Sequence, residues 1–178
     1  MSILLKNATI VEGKSNLNFI TKDILINDGD IVDIADTINT KASQTIKLEN
    51  LHVSRGWMDT SVCFGEPGFE ERETILNGLE TAASSGFTSI LLNPNCDPAI
   101  DNHSSIEFLK RKSTETTTEI YPIGSLTNNS KGEELASLFD MKLAGAVAFG
   151  DYKQTVKDTS LLKISLELSL IHISEPTR

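Results

Sequence analysis

The spacing of hydrophobic and polar positions changes along this chain near residue 56. Before that point the apolar stretches are short: residues 3–5, 8–11, 23–27, 31–34 and 45–48 are rich in β-branched residues and bounded by Gly, Asn or Asp. That pattern predicts short strands. Asn27-Asp28-Gly29-Asp30 stands between two of them and predicts a tight hairpin, since Gly takes positive φ at no steric cost. Residues 1–55 therefore read as a small antiparallel β unit.

After that point the period lengthens. Residues 53–64 contain a strand-like stretch that ends in Gly65-Glu66-Pro67-Gly68. Residues 70–85 carry Ile75, Leu79, Ala82 and Ala83 at helical spacing, with Gly86 placed to close the helix and the acidic run 70–73 reading as its solvated first turn. The run 87–92 reads as a parallel strand buried on both faces, and it stops at Asn93-Pro94-Asn95. A shorter helix is predicted over 104–112 and a strand over 119–123. A third helix over 132–143 would put Leu135, Leu138, Phe139 and Leu143 on one face, followed by a fourth strand over 145–149 and a helix from Asp158. Strand and helix alternate at intervals of about 30 residues, which predicts parallel βαβ units with right-handed crossovers. Pattern alone leaves two α/β architectures, a doubly wound sheet or half of a (β/α)8 barrel with open edges.

Composition narrows the partners. Of 178 residues, 16 are Lys or Arg and 25 are Asp or Glu, a formal charge of −9. That balance argues against general binding to nucleic acid or an anionic membrane, both of which need clustered cations. With 39% hydrophobic residues the chain can bury a core. No apolar run approaches the roughly 18 residues of a spanning helix, and the N-terminus shows no signal-peptide pattern, so the expected compartment is the cytoplasm. Cys63 and Cys96 are too few for a disulfide framework or a Cys-only zinc site, and each reads as a small buried hydrophobe, with a metal pair as the alternative. His103 reads as a surface residue, and His52 precedes the first strand of the βα region.

Chemistry in parallel αβ folds gathers at the C-terminal ends of strands. Here those ends are residues 59–68, 93–98, 124–127 and 149–152, which offer Asp59, Glu66, Asn95 and Asp151. Three of these segments resemble the dihydroorotases and their relatives in the amidohydrolase superfamily. Residues 59–68 are similar to the family's Asp-x-His-x-His-x-Arg-Glu-Pro-Gly. Asn93-Pro94-Asn95-Cys96-Asp97-Pro98 is similar to its Met-Pro-Asn-Thr-x-Pro stretch, and residues 144–151 to the segment that brings an acidic metal ligand to the fourth strand. The resemblance spans residues 1–164 and favours the barrel. It implies that residues 1–55 form the N-terminal strands of a small β-sandwich, and residues 56–164 the first four βα units of a truncated (β/α)8 TIM-like barrel.

Carried over position by position, the family's two first-strand histidines fall on Ser61 and Cys63, and its substrate-gripping arginine on Gly65. Two histidines at i, i+2 would share one side of a strand and present neutral ring nitrogens to zinc; Ser is a poor ligand and Cys alone does not rebuild the pair. Gly65 offers no donor for a substrate carboxylate. Asn95 stands at the substrate-binding position, and Asp151 at the fourth-strand metal position, where the family often has an acidic doublet and this chain has Asp151-Tyr152. Zinc is the family's cofactor, and these replacements imply that this chain binds none. The resemblance thus implies a dihydroorotase-like protein of pyrimidine biosynthesis that is catalytically inactive. Analogy suggests a scaffolding role with aspartate carbamoyltransferase. When full length it would be a homo-oligomer.

Two other readings stay open: an active single-metal cyclic-amide hydrolase using Asp151 and later ligands, with a small-molecule substrate, or a non-enzymatic αβ binding module. Residues 165–178 depart from the family pattern and end in a stretch that resembles translated sequencing-adapter read-through, so they are expected to be non-native and His172 to carry no function. The alternative is an amphipathic helix stopping before Pro176.

Overall fold

Strand β1 (Ser2–Val11) is central to an N-terminal sheet in the computed structural model, which describes residues 1–173. The chain divides into two compact units, Met1–Arg55 and Gly56–Arg178. In the first, β1 pairs antiparallel with β2 (Thr21–Asn27), and β2 with β3 (Asp30–Ala35). Asp28 and Gly29 make the turn between them, with φ of 51° and 95°, the two left-handed residues a tight hairpin requires. The unit is not purely antiparallel as expected. β4 (Gln44–Ile46) and β5 (His52–Ser54) both return alongside β1 in parallel, β4 near its start and β5 near its end. The last five residues of the expected non-native tail, 174–178, lie outside the described residues.

A bulge in β1 organises this unit. Leu5 pairs with Ile24 and Ala8 with Lys22, so Lys6 and Asn7 together face Asp23. The Asp23 carboxylate accepts from the Asn7 backbone N–H at 3.0 Å, the Ile38 N–H at 2.9 Å and Lys6 Nζ at 2.6 Å. Burial alone would raise the Asp23 pKa; Lys6 and the two backbone donors outweigh it and hold the carboxyl down at about 2.

The second unit starts with β6 (Trp57–Val62), so the single strand expected over 53–64 is two strands. Gly56, between them, has no room for a Cβ: one would lie 2.1 Å from the Thr88 side chain. Then follow α1 (Ile75–Ser84), β7 (Phe87–Leu92), α2 (His103–Lys112), β8 (Glu119–Gly124), α3 (Leu138–Ala144), β9 (Ala148–Phe149) and α4 (Thr159–Ile173). The four strands are all parallel and lie in sequential order, β6-β7-β8-β9. A doubly wound sheet would reverse that order at a switch point; here it never reverses, and the unit is the first half of a (β/α)8 barrel. Ile75 and Leu79 of α1, Ile106 and Leu109 of α2, and Met141 of α3 pack with Ile90, Leu92 and Ile120 of the sheet in one core. Ile90 and Leu92 are buried on this face, and Ser89 and Leu91, which alternate with them, are half-buried on the face that points to the barrel interior.

Two helices are shorter than their patterns predict. α1 starts at Ile75 behind the Thr74 cap because Glu73 is committed to a loop, its carbonyl accepting from the Gly65 and Glu66 N–H groups. Residues 132–137 stay out of the helix because Asn128 N–H donates to Glu134 and Ala136 N–H to Leu126, pinning them to the segment after β8. Among the described residues no helix is long and apolar enough to cross a membrane.

Replacing Asp23 with Asn should cost about 2 kcal/mol at neutral pH, read as a lower urea midpoint of the intact protein. The sign is set by the depressed pKa: the Asp23 contribution is complete above the unfolded value near 4 and fades as pH falls towards 2. Asp23→Asn should therefore flatten the acid limb of the stability curve.

Candidate functional site

Because the four strands run parallel and in order, the loops after β6, β7, β8 and β9 all emerge at one edge of the sheet. The end of β6 is irregular there. Asp59 pairs with Ile90 and Val62 with Leu92, which leaves one extra residue on β6 beside Ser61. Ser61 N–H donates to Asp59 Oδ1 at 3.0 Å. From the end of β7, Asn93 reaches across: its backbone N–H donates to Val62 O at 2.9 Å. Its side-chain Nδ2 lies 3.1 Å from Ser61 Oγ, 3.1 Å from Val62 O and 3.6 Å from Cys63 Sγ. Ser61 and Cys63 are both exposed. In the sequence Asn93 marks only the end of the 87–92 run, and the one sign of more is Asn in place of Met in the similar stretch.

Next to it the Gly65-Glu66-Pro67-Gly68 loop is tightly closed. Gly65 is buried, and a Cβ there would lie 1.9 Å from Phe69 O. No side chain, arginine included, fits at this position without moving the backbone. Glu66 has a structural role: its Oε2 accepts from Ile75 N–H at 2.9 Å at the start of α1, and its Oε1 pairs with Lys112 Nζ at 2.9 Å. Glu66 thus supplies the negative charge that the α1 N-terminus favours, a task the acidic run 70–73 was expected to perform.

Asn95 is brought to a polar cavity of about 240 Å³ that is also lined by Cys96, Asn129, Ser130 and Tyr152. Its Oδ1 is buried and has no hydrogen-bond partner, an arrangement that costs free energy until a donor arrives. Burial, with a smaller contribution from nearby Asp97, pushes the Cys96 thiol up to about 11. Cys96 is therefore a neutral thiol near neutral pH, poorly suited to bind metal as a thiolate.

Asp151 follows β9 and faces the β8 end. Its Oδ1 accepts from the Leu126 and Thr127 N–H groups, both at 3.0 Å, and its Oδ2 from Thr127 Oγ1 at 2.5 Å. Thr127, fully buried, in turn accepts from Gly132 N–H at 2.8 Å. Both Asp151 carboxylate oxygens are thus engaged by a loop, while its neighbour Tyr152 lines the Asn95 cavity. Among the described residues no three His, Cys, Asp or Glu side chains come together in a group able to hold a metal ion. His52 Nδ1 lies 2.6 Å from Asn50 O, and His103 lies at the surface between Asp140 O and Glu107.

Gly65→Ala should lower stability by about 1–3 kcal/mol, because the loop must open to admit one methyl group; a thermal-melt comparison reads it. Asp151→Ala should leave the Leu126 and Thr127 amides without their acceptor and speed their hydrogen exchange roughly tenfold or more.

A family profile described as dihydro-orotase-like matches residues 51–168. Among curated proteins, a dihydroorotase of Pelotomaculum thermopropionicum is 40% identical over 167 residues, covering 94% of this chain and 39% of its own length. One of Acetivibrio thermocellus is 39% identical over 168 residues, with the same two shares. The chain thus spans about two fifths of the length of these relatives. Among solved structures, a dihydroorotase overlays with a TM-score of 0.66 at 14% identity, covering 97% of this chain and 49% of that one. The L-hydantoinase (dihydropyrimidinase) of Arthrobacter aurescens gives 0.64 at 22% identity, covering 83% and 32%. At those identities the structures speak for the fold, a barrel of which this chain supplies the first four strands. Sequence and fold agree, and the chain belongs to the dihydroorotase-like family of amidohydrolases.

Proposed function

We propose that the intact protein binds the small-molecule ligands of the dihydroorotate step in pyrimidine biosynthesis but does not turn dihydroorotate over. The observation that carries this reading is the donor set at the end of β6. The family is metal-dependent, yet the two first-strand positions hold a hydroxyl and a thiol, with the Asn93 amide N–H group set between them. An N–H offers hydrogens rather than lone pairs, so these residues do not fit a cation. Gly65 adds to this: the position that would grip a substrate carboxylate has neither a side chain nor room for one.

Ligand binding keeps a basis in Asn95. Its unpartnered Oδ1 accepts an N–H donor, and its Nδ2 donates to a carboxylate. N-carbamoyl-aspartate carries both groups. A single-metal hydrolase using Asp151 draws less support, because that carboxylate already serves three donors on the β8 loop. For a family member that binds without turnover, a supporting role beside aspartate carbamoyltransferase is the partner reading that analogy favours.

The test is a paired measurement on the intact protein supplied with zinc. Dihydroorotate hydrolysis should not exceed the uncatalysed rate, while calorimetry should show N-carbamoyl-aspartate binding that weakens roughly tenfold in Asn95→Ala, the cost of about one hydrogen bond. Turnover near 1 per second or faster, within the usual enzymatic range of about 1–1000 per second, overturns the reading. Co-elution with aspartate carbamoyltransferase in gel filtration checks the partner, and separate elution removes it.

A further inference from the structure

We infer that the Asn93 side-chain amide has taken the place of a cation at the end of β6, holding together the groups a metal would otherwise gather. The inference rests on the proposal that the first-strand metal pair is lost, and it names what replaced the metal.

Three acceptors converge on one nitrogen. Ser61 Oγ and Val62 O each lie 3.1 Å from Asn93 Nδ2, and Cys63 Sγ lies 3.6 Å from it. An amide nitrogen has two hydrogens, so the three share them, and the lone pairs face partial positive charge without an ion. Zinc needs an oxygen, nitrogen or sulfur ligand within about 2.0–2.3 Å. An ion drawn that close to Ser61 and Cys63 would lie against the amide hydrogens, which repel it. The amide is also held in place. The Asn93 backbone N–H donates to the same Val62 carbonyl, and Ser61 lies in the irregular stretch of β6 between Asp59 and Val62. The replacement therefore involves three residues. Restoring histidines at 61 and 63 leaves the donor group where the ion must go.

The experiment compares zinc affinity, by equilibrium dialysis, of the intact wild-type protein, the Ser61→His/Cys63→His double variant, and the same double variant with Asn93→Ala added. Both histidine positions are exposed in this half barrel. The wild type should take up no zinc at this end. The triple variant should bind at least tenfold more tightly than the double variant. A second triple variant with Asn93→Asp keeps the side chain's size while exchanging N–H for a carboxylate oxygen, and it should bind at least as tightly as the alanine form. This keeps the comparison decisive if alanine loosens the fold. Triple variants that bind no more tightly than the double variant overturn the Asn93 inference and leave the loss of the metal pair standing. Zinc bound by the wild type and released in Cys63→Ala overturns the loss itself, and with it the inference.

Discussion

Four parallel strands in unbroken sequential order impose the constraint from which the rest of the second unit follows. Parallel neighbours need a crossover between them, and right-handed crossovers that never reverse direction put α1, α2 and α3 around one core. The same geometry sends the loops after β6, β7, β8 and β9 to one edge. Residues far apart in sequence, Ser61 and Asn93 by 32 positions and Thr127 and Asp151 by 24, become hydrogen-bond partners there.

Several positions along that edge hold the scaffold. Glu66 belongs to the scaffold: it caps α1 and pairs with Lys112 of α2, so the Glu-Pro-Gly segment has reason to persist whether or not the site reacts. Asp151 and Thr127 belong to it too, since their bonds fix the non-helical segment that displaces the first part of the expected third helix. Ser61, Cys63, Gly65 and Asn93 depart together from the pattern the chain resembles. Asn93 Nδ2 lies between Ser61 and Cys63, and the loop is closed tightly on Gly65.

Two buried polar groups show how differently the chain treats such atoms. Asp23 keeps its charge because a bulge, a lysine and a returning loop supply three donors, which outweigh the cost of burial. Asn95 Oδ1 is buried with no donor. A structural polar group is normally satisfied within the protein, so an orphan beside a cavity is the more informative of the two.

Local rules are written in the sequence, and they determined much of this protein. Asp28-Gly29 specifies its hairpin because few residues other than Gly, Asn and Asp tolerate positive φ, and Gly86, at φ of 89°, ends α1 for the same reason. Apolar spacing identified the cores of α1, α2 and β7, and the spacing of Asp59, Glu66, Asn95 and Asp151 along the strand ends carried the family resemblance. What the sequence could not supply was anything that depends on a partner far along the chain. The non-helical residues 132–137 and the reach of Asn93 to Ser61 and Cys63 are set by contacts between separate elements. Such contacts override local propensity because a buried backbone or side-chain polar group must find its hydrogen bond wherever the tertiary structure offers one.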